Sequence, residues 1–139
     1  MSHLRDDLAG VLARDPRYSI HAYAFVFEAL EYTKTMKQRA RARARSRGRS
    51  SAESRHVTGR ELCEGARLLA LNHYGLMAMT VLGLWGIRST SNLGDIVYHL
   101  IESGDLEKTP NDSRSDFENV YDFETAFRQK FVLALDEVA

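Results

Sequence analysis

The segment from residue 34 to 57 limits the fold more than any other part of the chain. After Met36 it contains no large apolar side chain up to Arg55, and its six regularly spaced arginines alternate with alanine, serine and glycine. Such a composition cannot supply the apolar surface that packing requires. Alanine and arginine favour a helix, but like charges four residues apart would fray it. We therefore predict that residues 34–57 form a flexible basic linker.

Patterns of helical spacing flank this linker on both sides. Residues 1–33 predict N-terminal helices, the second of which is central and buried, with Ile20, Tyr23, Phe27 and Leu30 in one row. Residues 58–139 predict a helical core. It opens with a capping box at Thr58 to Glu61, and its later helices end at glycines 75, 86 and 104. At 139 residues, the chain is expected to be a small, mainly α, single domain.

The order of elements between residues 81 and 123 suggests a finer classification. A buried helix ends at Gly86, a capped helix from about Ser89 ends at Gly104, and a strand and a polar turn follow. This order is typical of a winged helix-turn-helix. Residues 116–123 can form a short strand or begin the last helix, since Ser115 and Glu118 match a capping box. We expect a winged-helix-like C-terminal half.

Several classes of protein do not fit the composition. The single cysteine, Cys63, cannot form an internal disulfide, and the longest strongly apolar stretch, residues 76–85, has ten residues where a membrane helix needs about 20. No signal-peptide pattern opens the chain. We expect a cytoplasmic protein that does not interact with membranes.

The net charge of zero conceals a strong asymmetry. Residues 34–60 carry ten basic and one acidic side chains, a net charge of +9, whereas residues 95–139 carry four basic and eleven acidic ones, a net charge of −7. Closely spaced arginines can engage phosphates, but the segment has no aromatic residue to stack on bases. The alternative is a solvated insertion, or an arm that folds back on the acidic C-terminal third. The candidate residues for sequence-blind binding of nucleic acid or another polyanion are Lys37, Arg39, Arg41, Arg43, Arg45, Arg47 and Arg49.

The third helix of the core and the segment after it predict a different surface. The expected recognition helix is acidic, which disfavours DNA as the partner of that face. We therefore predict that it contacts protein, and that the protein is a non-enzymatic interaction or regulatory module, with nucleic-acid binding through the arginines as the alternative. The candidate residues of this protein-interaction surface are Asn92, Asp95, His99, Glu102, Lys108 and Arg114.

The chain shows no catalytic constellation and no cofactor motif. It lacks a nucleophile elbow, a phosphate loop and a dinucleotide fingerprint. His99 and Glu102 share a helix face, but this pair occurs once and in the reverse order of di-iron bundles, so we predict no metal site. Cys63 is predicted to be a small buried apolar residue.

Four blocks carry a resemblance to a known family. They are Thr58–Gly65, Trp85–Thr90, Leu93–Tyr98 and Asp112–Phe123, with Tyr23–Thr33 as an N-terminal match. Together they resemble a family of small uncharacterised bacterial proteins, the Minf-type proteins. The resemblance implies a bacterial cytoplasmic protein and implies no reaction. The arginine-rich segment departs from the shorter, less basic one that the family has there.

Overall fold

A computed structural model of the chain describes residues 9–10, 12–13, 15–48, 56–107 and 113–129. Four α-helices dominate: α1 (Ile20–Ser46), α2 (Gly59–Tyr74), α3 (Ala78–Leu84) and α4 (Thr90–Glu102). Short 3₁₀ helices cover Gly75–Met77 and Arg114–Phe117, and a π-helical turn covers Thr125–Gln129. The described residues include no strand. The prediction of a mainly α protein is confirmed.

Helix α1 extends through a region that we predicted to be a linker. Its N-terminal half packs one face on the core, through Ala22, Tyr23, Phe25, Val26, Ala29 and Thr33. Of the predicted row, Tyr23 is buried and Phe27 and Leu30 are half-buried, but Ile20 is 49% exposed, so the prediction of a buried helix holds for one face only. The helix then continues without interruption to Ser46, so the linker prediction is wrong for residues 34–46. Alanine and arginine have high helix propensity, the nucleus is already formed by the buried half, and Arg43 and Arg45 lie in the last turn, where cations stabilise the helix dipole. These effects outweigh the repulsion between like charges.

The start of α2 confirms the predicted capping box. The side chain of Thr58 accepts from the backbone N–H of Glu61 at 3.1 Å, and the Glu61 carboxylate accepts from the Thr58 N–H at 2.9 Å. Lys37 of α1 donates to the same carboxylate at 3.0 Å and to the carbonyl oxygen of His56 at 2.6 Å. Burial raises the pKa of Glu61, but the hydrogen bonds from Thr58 and Lys37 outweigh it and hold this pKa below its ordinary value. This ion pair fixes α1 to the start of α2.

Helices α1 and α2 approach closely at Gly65. A Cβ atom at this position would overlap Oγ1 of Thr33 and lie 2.9 Å from its Cβ. The Thr33 hydroxyl donates to the carbonyl oxygen of Ala29 at 2.6 Å, so its hydrogen bond stays within its own helix while its oxygen is the Thr33 atom nearest to Gly65. Thr33 is also the last buried residue of α1.

The segment before α1 packs against the C-terminal end of α3. The backbone N–H of Ile87 donates to the carbonyl oxygen of Leu82, and the N–H of Gly86 donates to the carbonyl oxygen of Gly83. These two hydrogen bonds form a Schellman motif. Gly86 has φ of 97°, and a Cβ there would overlap the carbonyl oxygen of Arg17. Only glycine adopts this positive φ readily and also leaves room for the Arg17 carbonyl oxygen. The N–H of Ser19 donates to the carbonyl oxygen of Trp85 at 3.1 Å, which closes this junction.

The region after α4 differs from the predicted wing. Helix α4 begins at a Ser89 cap and is followed by Gly104, as expected. Residues 114–117 then form a capped 3₁₀ helix and residues 118–120 form a turn with Asn119 at a φ of 48°, so no strand forms over residues 116–123 and helical backbone resumes only at Phe123. The capping box is Ser113 with Asp116, two positions before the predicted pair. Thus a winged helix is not confirmed in the described residues; residues 108–112 lie outside them.

Two contacts hold this last region on the core. Phe117 packs so closely on α4 that a Cβ at Gly94 would lie 2.8 Å from the Cβ of Phe117. The hydroxyl of Tyr121 donates to the carbonyl oxygen of Cys63 at 2.7 Å. Cys63 itself is fully buried, which confirms its predicted apolar role, and burial raises its pKa to about 12.

Candidate functional site

The C-terminal part of α1 extends beyond the packed body of the protein. Thr33 is its last buried residue, and Lys37 makes its last ion pair with another element. We call residues 38–47, which follow Lys37, the basic arm. They include Arg39, Arg41, Arg43, Arg45 and Arg47, and nine residues of helix span about 13 Å at 1.5 Å each.

Helical geometry sorts the arginines of the arm into two rows. Arg39 and Arg43 are four residues apart and form one row, and Arg41 and Arg45 form the other. At about 100° per residue, the rows lie about 160° apart around the helix axis. The alternation that looks featureless in the sequence therefore becomes two opposed basic edges.

Uncharged side chains occupy the sectors between the rows. One sector carries Gln38, Ala42 and Ser46, all exposed, and we call it the outer lane. Ala42 lies on the side of α1 opposite to the buried positions Ala29 and Thr33, since their directions differ by about 140° to 180°. The outer lane therefore faces away from the body, with an arginine row on each side.

The arginines of the arm have no counterions among the described residues. Within the described ranges, no carboxylate lies within ion-pairing distance of arginines 39, 41, 43, 45 or 47. Four of the five are exposed, and Arg41 is half-buried. A hollow of about 310 Å³ lies beside the row of Arg41 and Arg45 and is also lined by Lys34, Lys37 and two outer-lane residues, Gln38 and Ala42. The carboxylates within residues 113–128 form no ion pair with the arm, so the alternative in which the arm folds back on the acidic C-terminal third is not seen among the described residues.

One of the predicted polyanion-binding residues has a structural role instead. The side chain of Lys37 is only 11% exposed and is paired with Glu61. It therefore joins α1 to α2, and it is not the exposed polyanion-binding residue that we predict from the sequence. Arg49 lies outside the described residues.

The predicted protein-interaction residues of α4 turn out to face the chain's own N-terminal segment. The hydroxyl of Tyr18 donates to Oδ2 of Asp95 at 2.5 Å and accepts from Nδ2 of Asn92 at 2.9 Å. Arg17 lies 3.5 Å from the same carboxylate, and Arg114 pairs with its other oxygen. Asp95 is 6% exposed, so the prediction that it forms part of an open surface is wrong.

A second set of contacts joins Asp15 to α4 through His99. Nδ1 of His99 lies 2.8 Å from the Tyr23 hydroxyl, and its Nε2 lies 3.3 Å from Oδ2 of Asp15. Asp15 also accepts two hydrogen bonds from the Arg17 guanidinium, at 2.6 and 2.8 Å. His99 is thus held on both sides and is half-buried, contrary to the prediction of an exposed residue.

The electrostatics of this cluster favour a structural role. The order hydroxyl, imidazole, carboxylate resembles a nucleophile with its base and orienting group. However, burial raises the pKa of Tyr23 to about 12, so its phenol is a poor nucleophile at neutral pH. The hydrogen bonds from the Arg17 side chain hold the pKa of Asp15 at about 2, so it stays ionised. The cluster fixes the segment before α1 onto α4.

The remaining members of the predicted interaction surface divide three ways. Glu102 is exposed on α4, Arg114 contacts Asp95 and lies 5.5 Å above the Tyr98 ring, and Lys108 lies outside the described residues. The structure therefore does not bring these residues together as one open face.

Sequence reasoning missed the partners that cover α4. Asp15, Arg17, Tyr18 and Tyr23 each lie more than 70 positions along the chain from the α4 residues that they contact. A signal was present: two tyrosines on an otherwise apolar stretch need buried polar partners. The outer lane was also missed, because it exists only once residues 38–46 are helical.

Other features of the described residues add no site. They contain no group of three or more histidine, cysteine, aspartate or glutamate side chains placed to bind a metal. None of the helices in these ranges is long and apolar enough to cross a membrane. No family model matches the chain, and no curated protein or solved structure shows significant similarity to it.

Proposed function

We propose that this protein is a non-enzymatic, sequence-blind nucleic-acid-binding protein and that the basic arm is its binding element. The observation that carries the proposal is the exposed helical arm, whose arginines have no counterions among the described residues. Uncompensated arginines on a projecting helix gain much from contact with phosphates, because binding releases the counterions of the nucleic acid.

The revised view of α4 also supports this choice. Tyr18 and Asp15 cover part of the acidic face of α4 that we expected to bind protein, so less of this face is accessible to a protein partner. The arm presents no aromatic ring for stacking on bases. Binding through phosphates alone is therefore insensitive to base sequence.

The experiment compares two double variants in fluorescence anisotropy titrations of a labelled 20-base-pair DNA duplex. Arg41→Ala/Arg45→Ala removes one row of the arm. Arg60→Ala/Arg88→Ala removes the same charge from exposed positions on the body. We expect the wild-type affinity to fall with salt at a log–log slope of about −4 for four phosphate contacts. The arm variant should lose about tenfold in affinity and reduce that slope by about two.

Two results would overturn the proposal. One is the absence of binding by the wild-type chain at low salt. The other is an equal loss of affinity in the arm and body variants, since this would reflect net charge and not the arm.

A second candidate function, protein binding, is favoured by an apolar surface on and beside α3. The side chains of Leu76, Met77 and Leu84 are 60%, 56% and 79% exposed. Large apolar side chains that are this exposed mark candidate interaction sites when they form one patch. A second copy of the chain is the simplest partner to test. Sedimentation of the wild type and of Met77→Lys/Leu84→Lys over a range of concentrations decides whether this surface mediates self-association.

A further inference from the structure

We infer that the ligand of the basic arm is B-form duplex DNA, with the outer lane facing the floor of the major groove and the two arginine rows contacting the phosphates of opposite strands. This inference rests on the proposed function and specifies its ligand. It follows from three features of the arm: its width, the placement of its charges and the direction in which it faces.

The width of the arm matches one groove. A helix with its side chains is about 10–12 Å across, and the major groove of B-DNA is about 12 Å wide and 8.5 Å deep. On the outer lane, the arm carries only Gln38, Ala42 and Ser46. Short side chains at Ala42 and Ser46 allow the helix axis to approach the base edges closely. A bulky residue in this lane would hold the helix out of the groove.

The charges of the arm match the walls of that groove. Around the helix axis, both arginine rows lie about 60° to 100° from Ala42. Arg41 and Arg45 are on one side of it, and Arg39 and Arg43 are on the other. When Ala42 faces the groove floor, each row therefore points toward one phosphate backbone. A single-stranded ligand offers one backbone and would engage one row at a time.

The direction of the arm places the described core residues away from the docking face. The residues of α1 that pack on the body, including Ala29 and Thr33, lie on the opposite side of the helix from Ala42. The body is consequently behind the arm when the outer lane faces the DNA. Lys37 and Glu61 mark the point where the arm leaves the body.

The geometry also separates DNA from RNA duplexes. A-form RNA has a deep and narrow major groove that does not admit a helix. Both duplexes carry the same charge per base pair, so a purely electrostatic arm would bind them alike. An arm that enters the groove would prefer the DNA.

The experiment measures affinity for a 20-base-pair DNA duplex, the RNA duplex of the same sequence and the 20-nucleotide single strand, in the same buffer. Three proteins are compared: the wild type, Ala42→Phe and Ala40→Phe. Both alanines are exposed, but Ala42 is in the outer lane and Ala40 is on the other side of the helix. The two substitutions leave the charge unchanged and have matched helix propensities, which makes Ala40→Phe the control.

We expect the wild type to bind the DNA duplex at least about fivefold more tightly than the RNA duplex, because only the DNA groove admits the helix. Ala42→Phe should weaken DNA binding by about fivefold or more, and Ala40→Phe by less than about twofold. Equal affinity for all three nucleic acids, or equal effects of the two substitutions, would overturn the groove-docking inference and leave the proposed nucleic-acid binding intact. Absence of binding to all three would overturn both.

Discussion

The hydroxyl of Tyr18 donates a 2.5 Å hydrogen bond to the buried carboxylate of Asp95, two residues that lie 77 positions apart in the chain. This bond ties the segment before α1 to the middle of α4. It also explains how a carboxylate can be 6% exposed in a small helical protein, since Arg114 and Asn92 complete the surroundings of the pair.

Replacement of Tyr18 by phenylalanine should therefore destabilise the protein. Tyr18→Phe leaves Asp95 with one donor fewer in a buried setting, which costs about 1–3 kcal/mol in the free energy of unfolding. Urea denaturation followed by circular dichroism measures this loss. Tyr32→Phe is the control, because Tyr32 is half-buried and makes no hydrogen bond through its hydroxyl in the described residues, and its change should stay within about 0.5 kcal/mol. Equal effects of the two variants would show that the Tyr18–Asp95 bond adds nothing to stability.

The pairing of Asp15 with Arg17 should make stability depend on acid pH. The folded-state pKa of Asp15 is lowered from 3.8 to about 2, chiefly by the hydrogen bonds from Arg17. Because the folded pKa is the lower one, the contribution of Asp15 is fully present above the unfolded value and is lost as the pH falls toward 2.

Urea unfolding of the wild type and of Asp15→Asn across acid pH tests this dependence. We expect the wild type to be more stable by a constant margin above about pH 5 and the margin to shrink as the pH falls further. A margin that does not change with pH would show that the Asp15 carboxylate is not preferentially ionised in the folded state.

The close approach of α1 and α2 predicts opposite outcomes for two glycines. Gly65→Ala places a methyl group against Thr33 and should destabilise the protein by about 1–3 kcal/mol, although alanine is the better helix former. Gly83→Ala in α3 meets no atom within 4 Å and should be neutral or stabilise the protein by up to about 1 kcal/mol. Thermal unfolding of both variants checks the sign.

The combination Gly65→Ala/Thr33→Ala isolates the contact between the helices. Removal of the Thr33 side chain makes room for the new methyl group, so the double variant should cost less than the sum of the two single changes. Strict additivity would mean that the helices separate easily at this point.

The helical state of the basic arm can be tested with its charge held constant. Ala42→Pro removes a backbone donor and clashes with the preceding turn, which costs about 3 kcal/mol in a helix interior. No residue of α1 after Thr33 is buried, so the body should keep its melting temperature. We expect weaker binding of the DNA duplex and a loss of far-ultraviolet helical signal. Unchanged affinity would indicate that the arginines act as an unstructured chain.

Local signals in the sequence predicted the ends of helices well. Thr58 and Glu61, Ser89 and Gly86 act through neighbours within a few positions, and the structure confirms them. The shift of the predicted capping box from Ser115 to Ser113 shows the limit of such motifs, because the segment contains two matches and packing of Phe117 on α4 selects between them.

Long-range pairing explains the larger errors. A carboxylate on an amphipathic helix, such as Asp95, is normally a solvent-facing residue, and its partner Tyr18 cannot be identified from helical spacing. The helical state of the arm differs from the predicted linker for another reason. The helix propensity of alanine and the support of an already formed helix outweigh the repulsion among Arg39, Arg41 and Arg43, and the charge spacing alone does not show this balance.

Helix α1 is continuous, and the contacts described for it hold the end that carries Thr33 and Lys37. Between Ile20 and Ser46 the helix has no glycine or proline, which are the usual causes of a sharp kink. The direction of the basic arm is therefore set by the contacts at its base, where Thr33 packs against Gly65 and Lys37 pairs with Glu61. Anything held at the tip takes up a set angle to the rest of the molecule, and a force applied there is carried directly into the joint between α1 and α2.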